Sequence, residues 1–149
     1  MTRMILFGGL IAMLASAAAA ADMPQHQTAD GMEFYLGVVP AAIARGHSRI
    51  HPEAQMHGGV PGGAFHVMVA VFDAASGARV TDLEATARVS GVGLIGSRRA
   101  LEPMLVGEGV TYGNYFTLPG RDLYQIVIEA RRPGAAPVRV EFAYDHRGP

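Results

Sequence analysis

From residue 31 onward glycine, proline and aspartate divide this chain into short apolar stretches, and that division bounds the fold more tightly than any other feature. No stretch carries a long helical period, whereas several alternate with period two. Residues 32–39 are rich in aromatic and β-branched side chains and stop at Pro40, which predicts a first strand. Residues 64–72 predict a dense second one, with Val67, Val69 and Val71 on one face and His66, Met68, Ala70 and Phe72 on the other, both faces apolar enough to be covered. Residues 73–77 read as a turn, and 78–89 as a returning strand that completes a hairpin. Residues 101–106 and 111–117 are each short enough to be one strand. A Pro119-Gly120 turn follows, then 123–130 with Tyr124, Ile126 and Ile128 inward, a Pro133-Gly134 turn, and a last strand through Val138, Val140, Phe142 and Tyr144. About seven short strands without a long amphipathic helix predict an all-β, immunoglobulin-like antiparallel β-sandwich, with a closed barrel as the alternative.

The N-terminal residues read differently. Arg3 precedes an apolar run over 4–14 and a small-residue series over 16–21, the layout of a secretory signal peptide cleaved after Ala21. The run is short of the about 20 residues that span a bilayer. The expected organisation is therefore a signal peptide over 1–21, a flexible leader over 22–31 and a single sandwich domain over 32–149, in a soluble periplasmic protein. The chain has no Cys, which removes disulfide staples, thiolate ligands and a lipid-bearing cysteine together. Its net charge is −1, and its 12 basic residues are all Arg and scattered, which argues against nucleic acid as a partner.

The chemistry-bearing segment is 46–59, where three of the six His of the chain fall within eleven positions. In an extended backbone His47, His51, Glu53 and His57 share one face, while Ile50, Ala54 and Met56 take the other. Pro52 removes a ladder donor there, so an edge or irregular strand is expected. Neutral imidazole binds Cu, Zn, Fe and Ni, carboxylate adds charge for a divalent ion, and thioether selects softer copper. Met104 is a candidate thioether, although a Met beside a Leu in a strand usually fills core space. His66, inside an apolar strand, reads first as a buried structural histidine. His26 and His146 read as exposed. No Gly-x-Ser-x-Gly elbow, phosphate-binding glycine loop or His-Glu-x-x-His helix occurs, so no enzyme is predicted.

Three islands carry a family resemblance. Ile50-His51-Pro52-Glu53-Ala54-Gln55-Met56-His57 resembles the Ile-His-x-Glu-Ala-x-x-His segment of the small periplasmic iron-transport proteins that work beside the bacterial high-affinity iron permease. Pro103-Met104 followed by Tyr112-Gly113-Asn114 is similar to that family's Pro-Met and Tyr-Gly strand pair, and 124–133 resembles one of its later strands. The resemblance implies an immunoglobulin-like sandwich, frequently a homodimer, with a surface copper site that also serves iron, and an inner-membrane metal permease as partner. Carried over residue by residue it points to His51, Glu53 and Met104 as ligands, with His57, His47 and Met56 as supports. Thr111 stands where the family has a His, and a late His-rich insertion is missing between Ile128 and Val138, so the family's ligand set is incomplete and His47, His57 or His66 would have to substitute. The expected function is copper or iron binding in transport or homeostasis. The rival is a non-catalytic envelope sandwich that binds a protein partner.

Overall fold

The computed structural model describes residues 24–41, 43 and 63–147. Eight strands follow in order: β1 (His26–Ala29), β2 (Met32–Pro40), β3 (Ala64–Asp73), β4 (Glu84–Gly91), β5 (Ser97–Val106), β6 (Gly109–Thr117), β7 (Leu123–Arg131) and β8 (Val138–Asp145). Every pairing is antiparallel, in the order β1-β2-β3-β6-β5-β4-β7-β8.

Strand β5 makes this ribbon into two layers. Its first half pairs with β4, through Ala85 opposite Leu101, and its second half pairs with β6, beginning at Glu102 opposite Gly113. One layer is thus β1-β2-β3-β6 with the end of β5, and the other is the start of β5 with β4-β7-β8. That arrangement is the immunoglobulin-like sandwich, with β5 shared between sheets and β1 added at one edge. At the crossing the Asn114 amide donates to the Ala100 carbonyl at 2.7 Å, so a backbone acceptor displaced from the ladder is satisfied by a side chain.

The core is the alternating face of each strand. Phe34, Val67, Val69, Val71, Phe116, Ile126 and Ile128 are essentially inaccessible to solvent. Burying each such side chain contributes about 1.5–3 kcal/mol, offset by the entropy of ordering the chain. Tyr124, at the start of β7, donates its hydroxyl to the Pro119 carbonyl at 2.5 Å, the tyrosine corner that fastens the turn between β6 and β7 in sandwiches of this kind.

Three sequence expectations change. Residues 26–29, expected within a flexible leader, form β1: Asp30 and Gly31 both have positive φ, 46° and 74°, the pair a two-residue hairpin needs to fold β1 onto the edge of β2. This raises the strand count from about seven to eight. The hairpin expected between 64–72 and 78–89 forms only at its turn. Phe72 bridges Arg79, and Val80 N–H donates to the Val71 carbonyl, after which the chain crosses to the other sheet, where β4 pairs with β5 and β7. The buried Tyr112 hydroxyl secures the crossing, accepting from Leu83 N–H at 3.0 Å and donating to the Val80 carbonyl at 3.3 Å. Local alternation in 78–89 fits either partner, and long-range pairing decided it.

A candidate metal centre on the outer face of the sheet

Of the candidate ligands, His47, His51, Glu53, Met56 and His57 lie outside the described residues. Met104 lies inside them, and its surroundings differ from a core position. The core face of the β2-β3-β6 layer takes the odd-numbered residues of β3. Met104 pairs with Thr111, two residues from Gly113, and so belongs to the opposite, outer face with His66, Met68 and Tyr115.

On that face register brings distant residues together. Met68 stands opposite Gly113 on β6 and opposite Gly37 on β2, and Glu102 faces Gly113 from β5. One cross-strand row is therefore Gly37, Met68, Gly113 and Glu102, with two of four positions lacking a side chain. The neighbours fill the space. A Cβ placed on Gly113 would lie 2.7 Å from His66 Nε2 and 3.2 Å from Met104 Cε, and one placed on Gly37 would lie 3.0 Å from Met68 Cγ. The imidazole and the thioether of Met104 thus close over one missing side chain from opposite flanks, and Met68 leans over the other. Gly in a strand interior weakens the strand unless another group must approach the backbone closely, and here two do.

The site is enclosed on this outer face. His66 is 2 % exposed and Met104 4 %. His66 stacks on Tyr115, ring centroids 4.7 Å apart at 29°. Tyr115 packs with Ala41 and Ala64, the residues near which the described chain breaks off after β2 and resumes before β3. The sequence joining those two points carries His47, His51, Glu53, Met56 and His57.

Charge reaches the rim from two sides. Arg79 donates to the Val110 carbonyl at 2.9 Å and to Thr111 Oγ1 at 3.4 Å, and its guanidinium lies 4.5 Å from the centroid of the Phe72 ring. Thr111 is the cross-strand partner of Met104, so the guanidinium is held one strand away from the methionine. Glu102 supplies a negative charge across Gly113.

Among the described residues no three His, Cys, Asp or Glu side chains come together as a metal-binding group. The described donors are instead an imidazole and thioethers. A surface cleft of about 570 Å³ lies elsewhere, between the β4–β5 turn and β7–β8, and its lining among the described residues includes the Glu141 carboxylate and no imidazole. Sequence reasoning read His66 first as structural and otherwise as one of three histidines that could complete the ligand set of Met104, without a geometric reason to choose it. The available signal was Gly113, a lone glycine in a strand between Tyr112 and Tyr115, which marks a close approach.

No protein-family model matches this sequence, and a search of curated proteins returns no match. Solved structures do match. A copper-bound glutamate-to-glutamine variant of FetP from uropathogenic Escherichia coli strain F11 is similar at TM-score 0.63 and 14 % identity, over 83 % of this chain and 94 % of that one. Copper-reconstituted P19 from Campylobacter jejuni matches at TM-score 0.63 and 14 % identity, over 83 % and 94 % of the two chains. A DUF4426 family protein from Pseudomonas aeruginosa PAO1 matches at TM-score 0.60 and 17 % identity, over 81 % and 92 %. The chain shares its β-sandwich fold with FetP and P19, both of which have been solved with copper bound.

Proposed function

We propose that this protein binds copper or iron as cargo in the bacterial periplasm and delivers it in metal transport or homeostasis, acting as a carrier rather than an enzyme. The observation that carries the reading is the meeting of His66 and Met104 over Gly113: two metal-ligating side chains from different strands share one enclosed spot on the outer face. The proposed ligands are His51, Glu53 and Met104, with His57, His47 and Met56 as supports, all assigned on sequence pattern and resemblance. Supporting that assignment, the segment bearing them joins Ala41 to Gly63, and Ala41 packs beside Tyr115 next to His66. The periplasmic location rests on the secretory layout of residues 1–21, and an inner-membrane permease and a homodimer belong to the same proposal.

Titration calorimetry of the metal-stripped protein, lacking residues 1–21, with Cu(II), with Cu(I) under reductant and with Fe(II) tests this reading. Stoichiometric binding that is lost in His51→Ala and weakened in Met104→Ala supports it. Absence of binding by the wild type overturns it and favours the partner-binding sandwich instead, for which the exposed apolar side chains of Val92, Leu94 and Ile95 at the β4–β5 turn offer a contact surface.

A further inference from the structure

We infer that His66 is itself a ligand and that, with Met104 and the adjacent Met68, it supplies soft donors that make the centre take Cu(I) in preference to Cu(II) or iron. This deepens the metal-binding reading above and rests on it. Three features of the outer face support it. The side chains meet over two glycines of one face: His66 Nε2 and the Met104 methyl carbon both approach the position that a Gly113 side chain would occupy, and the Met68 sulfur lies over Gly37 in the same cross-strand row. They are also soft. Thioether sulfur and imidazole bind cuprous ion well, whereas ferric, ferrous and cupric ions favour oxygen or nitrogen donors that bring charge. Finally, charged groups of both signs border this face: Glu102 faces Gly113, and Arg79 stands at Thr111, the cross-strand partner of Met104. A monovalent ion loses less than a divalent one by entering such a site.

Burial sharpens the preference. His66 and Met104 are almost fully enclosed, so a bound ion exchanges water for these ligands, and a cuprous ion, content with two or three soft ligands, is the better match to that exchange. Met68 is half-buried, with its flexible thioether lying over Gly37 in the same cross-strand row.

The test compares Cu(I), measured by competition with a chromophoric chelator under reductant, with Cu(II) and Fe(II), in the wild type and in Met104→Leu, Met68→Leu, His66→Gln and Arg79→Gln. Thermal melts establish that each variant is folded. The expected result is tighter binding of Cu(I) than of either divalent ion. Met104→Leu then weakens Cu(I) by roughly tenfold to 100-fold while changing Cu(II) much less, and His66→Gln weakens Cu(I) comparably. Arg79→Gln narrows the preference by strengthening Cu(II). If His66→Gln does not fold, the Met104→Leu and Met68→Leu pair, close in volume to the wild type, still decides the matter. Binding in which Cu(II) or Fe(II) is preferred and Met104→Leu has no selective effect overturns this inference while the metal-binding reading stands. No binding of any of the three ions overturns both.

Discussion

His66 Nε2 and Met104 Cε, from strands separated in the sheet by β6, approach the same point above Gly113, at 2.7 Å and 3.2 Å from where its side chain would begin. Neither residue is near the other in sequence. Their meeting depends on the register of β3 on β6 and of β5 on β6, and on a glycine between them.

Gly113→Ala follows directly. The added methyl falls within the contact limit of the imidazole nitrogen, so His66 must withdraw from an enclosed position. Overpacking of this kind costs about 1–3 kcal/mol. A lower melting temperature together with loss of Cu(I) binding is expected. Unchanged affinity and stability would show that the space above Gly113 is not shared as described.

Tyr112→Phe tests the crossing between the sheets. Removing the hydroxyl leaves the Leu83 N–H and the Val80 carbonyl without their buried partner, which costs about 1–3 kcal/mol. Chemical denaturation should show a lower midpoint with an unchanged slope. Since Tyr112 lies on the core face, metal affinity in the folded variant should be retained.

Acid stability should depend on Asp73. Its carboxylate accepts from Ser76 N–H at 3.0 Å, pairs with Arg132 at 3.0 Å and accepts from Ser76 Oγ at 2.9 Å. These contacts, the Ser76 N–H first, bring its pKa down from 3.8 to about 2. A carboxyl whose folded value is depressed contributes stability that is present above 3.8 and lost as pH falls toward about 2. Asp73→Asn should flatten the acid limb of the stability profile across that window, as read from denaturation midpoints at stepped pH. A profile superimposable on the wild type below pH 4 would contradict the assignment.

Much of the fold was legible because it is local. The alternation in 64–72 and in 123–130 placed Val67, Val69, Val71, Tyr124, Ile126 and Ile128 inward, as found. Strand β1 was missed although Asp30-Gly31 is a strong hairpin signal, because the polar residues before it resemble a leader. Residues 78–89 were misassigned because alternation states which face is apolar and not which strand is the neighbour. Met104 was legible as a candidate ligand from its resemblance to a motif. Its partnership with His66 was not, since that follows from pairing registers that no local pattern encodes.

The most direct test of the central claim uses protein labelled with ¹³C at the methionine methyl groups and titrated with Ag(I), a diamagnetic stand-in for Cu(I). The account predicts that the Met104 methyl resonance shifts on adding one equivalent, while that of Met32, buried in the hydrophobic core, stays in place. An unmoved Met104 methyl at saturating metal, whatever else shifts, would contradict a metal centre on this face.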